Sequence, residues 1–115
     1  MAITRTTQGT VTVLAVAGAF TGGDETTRLR EAIIEEGARG NIQLVIDFSA
    51  CPMMDSSGIA VLVEAYRNYT KRGGRIRLCA LQARLANQFA IVRLFELLPR
   101  HETRAEAISA FETAT

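Results

Sequence analysis

Apolar and polar residues alternate on both sides of Gln8-Gly9 in "AITRTTQGTVTVLAVAG". That pattern predicts two strands joined by a tight turn, the second over about Thr10 to Ala17. The glycines of "FTGGDE" break the alternation, and Asp24 is placed to cap a helix over "ETTRLREAIIEEGARG". In that helix Leu29, Ala32 and Ile33 share a face, while Glu31, Glu35 and Glu36 fall on the solvated side. Gly37 and Gly40 are expected to end it. "IQLVIDF", Ile42 to Phe48, is nearly continuous apolar, as in a central strand covered on both faces. In "GIAVLVEAYRNYTKRGG", Ile59, Leu62, Val63 and Tyr66 follow the i, i+3, i+4, i+7 spacing. Glu64, Arg67, Asn68 and Lys71 point the other way, and Gly73-Gly74 stops the helix. "RIRLCAL", Arg75 to Leu81, alternates as a strand. "QARLANQFAIVRLF" predicts a third helix with Leu85, Phe89 and Val92 inward, and "FELLP" a short final strand. "TRAEAISAF" is a closing helix, with Thr103 three residues before Glu106 in capping-box spacing.

Strands alternating with helices predict an α/β domain: a mixed sheet of four to five strands, about four helices, and right-handed crossovers. With 115 residues and no repeat, linker or low-complexity stretch, residues 1–115 read as one domain.

Composition narrows the partners. The chain is 48% hydrophobic and 22% charged with a net charge of +1, so no whole-molecule attraction to nucleic acid or an anionic membrane is expected. Five Phe, two Tyr and no Trp make a poor base-stacking platform. The apolar runs fall short of the ~20 residues a membrane helix needs. Met1 to Thr10 is polar, so no secretion signal is expected. Cys51 and Cys79 sit beside apolar runs and read as buried, reduced thiols, which together with the rest suggests a cytoplasmic protein.

Little catalytic chemistry is present. Neither GxGxxG after a strand nor GxxxxGK[ST] occurs, and no His/Cys/Asp cluster has metal-ligand spacing. His101 lies in a polar stretch and reads as an exposed turn residue. Met-Asp, rather than Gly-x, precedes the serines, so the hydrolase elbow is missing and a serine hydrolase using Ser56 or Ser57 is disfavoured. Asp47 and Asp55 lie at the ends of one strand-loop unit without the supporting residues of an acid/base pair. Arg67, Lys71, Arg72, Arg75 and Arg77 form the one local cationic excess, read as the solvated end of a helix. No catalytic residue, metal or cofactor is expected.

What stands out is "CPMMDSSGIAVL", Cys51 to Leu62, which sets an aspartate and two serines between a buried strand and an apolar helix. One serine as N-cap would stabilise the helix by about 1 kcal/mol, leaving the other two residues unexplained. Alternatively, Ser56 is exposed at the helix mouth, beyond the carboxyl end of a central strand, where α/β sheets present working residues. A phosphate there would meet free backbone N–H groups and the positive helix end, a gain of about 0.3–1 kcal/mol. It would also add about −1.5 to −2 charges to the surface. Spacing alone leaves cap and switch both open.

The stretch "LVIDFSACPMMDSSGIAVLVEAYRNYTKRGGRIRLCAL" resembles the core of the STAS-domain family, specifically the freestanding bacterial anti-sigma factor antagonists. The matching elements are Asp47-Phe48-Ser49, then Met54-Asp55-Ser56-Ser57-Gly58-Ile59, then Gly73-Gly74 and the strand from Arg75 to Leu81. The resemblance implies a STAS fold and a partner-switching module that is not an enzyme. Unmodified, such a module binds an anti-sigma factor that is itself a serine kinase, freeing a sigma factor. The kinase then phosphorylates Ser56 and the complex separates, until a serine phosphatase resets it. Asp55, Ser57, Gly58 and Ile59 would form the partner-binding segment with Ser56, with Gly58 keeping the helix start open to the partner's phosphate donor. The nucleotide would belong to the kinase. Where the family often has Gly-x-Leu-Asp, this chain has Gly18-Ala19-Phe20-Thr21 followed by Gly22-Gly23, which implies a different partner specificity. The alternative is a STAS subunit of a constitutive or transporter-associated assembly; whether the chain forms a homo-oligomer is left open.

Overall fold

The computed structural model describes residues 3–112. Strands β1 (Ile3–Gln8) and β2 (Val11–Ala17) pair antiparallel from Ile3 opposite Val16 to Gln8 opposite Val11. Gly9 (φ 61) takes the left-handed position of the two-residue turn. Ala2, which the alternation included, lies outside the described residues. The chain continues through α1 (Gly23–Ala38), β3 (Gln43–Ala50), α2 (Ser56–Lys71) and β4 (Arg75–Cys79). It ends with α3 (Ala83–Ile91), a 3-10 turn (Leu94–Glu96), β5 (Arg100–His101) and α4 (Arg104–Glu112).

The sheet order is β1-β2-β3-β4-β5, parallel from β2 onward. Crossovers that all step in one direction with the usual hand carry their helices to one face. Leu44, Ile46 and Phe48 of β3 accordingly pack with Leu29 and Ile33 of α1, Leu62 of α2, and Leu85 and Phe89 of α3. Val45 points to the opposite face, where Val11, Val13 and Cys79 meet Ala107, Ile108 and Phe111 of α4. This two-sided cover is why β3 reads as a continuous apolar run.

Several local expectations are corrected. Asp24 is not the cap of α1: Gly22 (φ 91) holds that position without a side-chain bond, and Asp24 lies in the first turn. The Thr26 hydroxyl instead accepts the Gly22 N–H at 3.1 Å. Glu36 is 3% exposed, not solvated. Arg5 of β1 reaches it (Nε–Oε2 2.6 Å), and Asn41 donates to its other oxygen at 2.9 Å. Burial works to raise the Glu36 carboxyl, but these partners outweigh it and hold the group low. Gly37 lies inside α1 against the Tyr69 ring, while Gly40 (φ 85) follows the helix end.

At the other end of the chain, α3 stops at Ile91 because Arg93 turns left-handed (φ 61), which swings Val92 out to 51% exposure. "FELLP" is not a strand: its first two residues belong to the 3-10 turn Leu94–Glu96, the rest is turn and loop, and the last strand is Arg100–His101. His101 is therefore half-buried in a strand, beside Arg77 (Nη1–Nε2 3.3 Å). Burial and that guanidinium lower its pKa. Arg77 itself is half-buried over the Phe111 ring, unlike the exposed Arg67, Lys71, Arg72 and Arg75. The Thr103 hydroxyl accepts the Glu106 N–H at 3.1 Å, as the capping-box spacing predicts. Cys51 and Cys79 are free and buried, in opposite layers of the core. No described helix is long and apolar enough to cross a membrane.

Candidate functional site

Two loops meet beyond the carboxyl ends of β2 and β3, the usual place for function in a parallel sheet. Backbone bonds stitch them together: Gly18 N–H to the Ala50 carbonyl at 2.9 Å, Phe20 N–H to Met53 at 3.1 Å, and Asp55 N–H to Phe20 at 2.8 Å. The Phe20 side chain is fully buried and anchors the first loop. From α3, the Gln88 amide donates to the Met54 carbonyl, and from its start the Gln82 amide donates to the Ser49 carbonyl at 3.1 Å. The Asp-Ser-Ser segment is thus held from three sides.

Asp55, not a serine, is the N-cap of α2. Its Oδ1 accepts the Ser57 N–H at 2.9 Å, the Gly58 N–H at 3.3 Å and the Ser57 hydroxyl at 2.5 Å. The Ser57 hydroxyl holds the Asp55 carboxyl below the usual carboxylate range against desolvation, helped by the backbone N–H donors around it. Ser56 occupies the first helical position and is exposed, and its hydroxyl makes no hydrogen bond to any described residue.

This arrangement changes the expected environment of a phosphate. Of the N–H groups at the start of α2, those of Ser57 and Gly58 are taken by Asp55 and that of Asp55 by Phe20. Only the N–H of Ser56 itself is left, so the free donors anticipated for a phosphate on Ser56 are not there.

Gly58 is also corrected. It is buried, and a Cβ there would lie 2.3 Å from Met54 Cγ and 2.8 Å from its Sδ. The missing side chain makes room for the core, not for an approaching partner. Ile59 is half-buried against that core. Of the five residues assigned to recognition, Asp55, Ser56 and Ser57 therefore reach the surface, and Gly58 and Ile59 support them from beneath.

Asp47 and Asp55 do not form a pair. Asp47 is buried under α4, accepts the Ser49 N–H at 2.8 Å and meets Arg104 Nε at 2.9 Å. Burial works to raise its carboxyl, but the Ser49 and Arg104 bonds hold it below the ordinary range. Its work is to fasten α4 to the sheet. No group of three or more His, Cys, Asp or Glu among the described residues could hold a metal ion.

Residues not anticipated from sequence complete the surface. Met53, Arg84, Asn87 and Ile91 line, with Asp55, a shallow groove of about 410 Å³ between the loop and α3, and Ile91 is 81% exposed. On the opposite side, a Cβ added at Gly22 would lie 3.6 Å from the Ser57 hydroxyl and 3.9 Å from Asp55 Oδ2. The double glycine was the sequence signal for this neighbour; nothing local announced the α3 side.

Comparison with known proteins places this architecture. A crystal structure of an anti-sigma factor antagonist from Mycobacterium paratuberculosis superposes with a TM-score of 0.83 at 24% identity, covering 96% of this chain and 92% of that one. SpoIIAA, an anti-sigma factor antagonist, in its unphosphorylated form gives 0.78 at 19% identity over 97% and 99% of the two chains. The Bacillus cell fate determinant SpoIIAA in its phosphorylated form gives 0.75 at 20% identity over 96% and 99%. At these identities the likeness is one of fold. The family model for the STAS domain matches residues 2–107, from the first hairpin into the closing helix. The chain belongs to the STAS-domain family.

Proposed function

We propose that this protein is an anti-sigma factor antagonist that works as a phosphorylation-controlled partner switch and not as an enzyme. Unmodified, it binds an anti-sigma factor that is a serine kinase, through a surface made of Ser56, Asp55 and Ser57 with Met53, Arg84 and Ile91 beside them. Phosphorylation of Ser56 releases it, and a serine phosphatase restores it. An ATP-using kinase as partner places this exchange in the cytoplasm.

The observation that carries the reading is the state of Ser56. Beside it Asp55 and Ser57 bind each other, while its own hydroxyl is exposed and bonds to no described residue, on a first helical turn that the Asp55 cap holds. Such a group can be modified without breaking any bond the fold uses. Ile91, 81% exposed, supplies an apolar contact in the groove beside Asp55. A dianion added there must be desolvated when a partner docks, and each 1.4 kcal/mol of penalty weakens binding tenfold. SpoIIAA, which shares this fold, is known in both phosphorylated and unphosphorylated forms.

The test is to isolate the protein with its co-purifying partners and map its phosphorylation. Ser56 should carry the phosphate, Ser56→Ala should hold the kinase through ATP treatment, and Ser56→Asp should bind it at least tenfold more weakly. Binding of Ser56→Asp as tight as wild type, or phosphate found elsewhere, rejects the proposal.

A further inference from the structure

A phosphoryl group on Ser56 has two directions open to it: back onto the start of α2, or out into solvent. An unoccupied helix start would draw it back, since exposed N–H groups and the helix dipole together favour a phosphate. A dianion folded back in this way would be partly neutralised and shielded. It would repel a docking partner less and present itself poorly to a phosphatase.

We propose that Asp55 is a positioning residue that keeps the phosphorylated Ser56 side chain turned outward, by occupying the helix-end donors a phosphate would otherwise take. This rests on the assignment of Ser56 as the modified residue. Asp55 Oδ1 already accepts from the Ser57 N–H, the Gly58 N–H and the Ser57 hydroxyl at 2.9, 3.3 and 2.5 Å. Asp55 is also hard to move aside. Its N–H is bound to the Phe20 carbonyl at 2.8 Å, its carbonyl accepts the Ile59 N–H at 3.1 Å, and the Met54 carbonyl before it is held by Gln88.

Charge acts in the same direction. An ionised carboxylate one residue away repels a dianion lowered toward it, and the three bonds it accepts hold its pKa below the ordinary carboxylate value. Arg84 and Ile91 line a groove together with Asp55, so Asp55 itself borders the surface that a partner would cover. Asp55 thereby serves both states: it holds the helix start when Ser56 is free, and exposes the phosphate when Ser56 is modified.

The experiment installs phosphoserine in place of Ser56 by genetic encoding, in wild type, Asp55→Asn and Asp55→Ala, and follows the phosphate by phosphorus NMR across pH. Free phosphoserine has its second ionisation near pH ~6. The wild-type midpoint should lie at or above that of a short phosphoserine peptide. In Asp55→Ala the freed N–H groups should bind the dianion and pull the midpoint down by roughly half a pH unit or more. Asp55→Asn keeps a capping oxygen without the charge, and should stay within a few tenths of the peptide. Alkaline phosphatase should then dephosphorylate Asp55→Ala several-fold more slowly than wild type, and Asp55→Asn at close to the wild-type rate. A merely structural role for Asp55 would change melting temperature while leaving the midpoint alone.

If the wild-type phosphate titrates well below the peptide, or if Asp55→Ala titrates and reacts as wild type does, the positioning role is overturned. Because the phosphate is installed without a kinase, these outcomes are independent of whether a kinase modifies Ser56, so the two proposals fail separately.

Discussion

Replacing Gly58 by alanine puts the packing beneath the site under direct strain. The new Cβ would stand 2.3 Å from Met54 Cγ and 2.8 Å from Sδ, whereas carbon contacts settle near ~3.5–4.0 Å. Met54 must therefore change rotamer, and it has little room: it is 1% exposed, and its backbone is bridged to Phe20. Overpacking of this kind costs about 1–3 kcal/mol. The better helix propensity of alanine offsets roughly 0.5–1 kcal/mol of that. A net loss of up to about 2.5 kcal/mol follows, centred on ~1 kcal/mol, or a fall in Tm of roughly 4 °C for a chain of this size. Urea denaturation of a double-mutant cycle with Met54→Ala checks the cause. With the Met54 side chain gone, Gly58→Ala should be neutral or stabilising, giving a coupling of about 1–3 kcal/mol. A Gly58→Ala protein as stable as wild type, or the same penalty in both backgrounds, would refute the claim that Met54 is why this position is glycine.

Tyr69→Phe removes the hydroxyl that donates to the Ile33 carbonyl at 2.7 Å, so urea unfolding should show a loss of about 0.5–1.5 kcal/mol with little change at the site. Asp47 has a folded pKa below its unfolded value, so its contribution is present above the unfolded carboxylate range and is lost as pH falls through the lowered folded value. The stability gap between wild type and Asp47→Asn should accordingly be widest near neutral pH and close in acid, below about pH 4; a gap that widens in acid would contradict the Arg104 pairing. Burial pushes the Cys51 thiol up to about 11, and burial with the nearby Asp47 charge pushes Cys79 up to about 12. Both should resist a thiol reagent at pH ~8 until the protein unfolds, whereas prompt labelling of the native protein would refute their burial.

Much of this molecule is legible along the chain. The covered strand Gln43–Ala50, the amphipathic α2, the Gly9 turn and the Thr103–Glu106 cap each depend on residues within a few positions of one another, and local periodicity registers them. The Asp-Ser-Ser-Gly segment was legible as a place of interest for the same reason. Which of its residues would cap the helix was not, because aspartate and serine suit that position about equally. The choice falls to Asp55, whose own N–H is held by Phe20 from another loop.

Longer-range pairings could not be read locally. Glu36 is solvated on a helical wheel, yet Arg5 binds it from 31 residues away. Asp47 belongs to α4 through Arg104, 57 residues on. The order β1-β2-β3-β4-β5, which gathers α1, α2 and α3 on one face, exists only once the sheet forms. Ile91 and Asp55 come to line one groove only because α3 lies beside the Asp55 loop in the folded chain. Sequence by itself determined most of the elements and set the Asp-Ser-Ser-Gly segment between a strand and a helix, since neighbours along the chain set helix, strand and turn. The tertiary structure alone decided which charges are paired, which glycine is filled and which hydroxyl stands free, because those depend on groups that meet only in the folded chain.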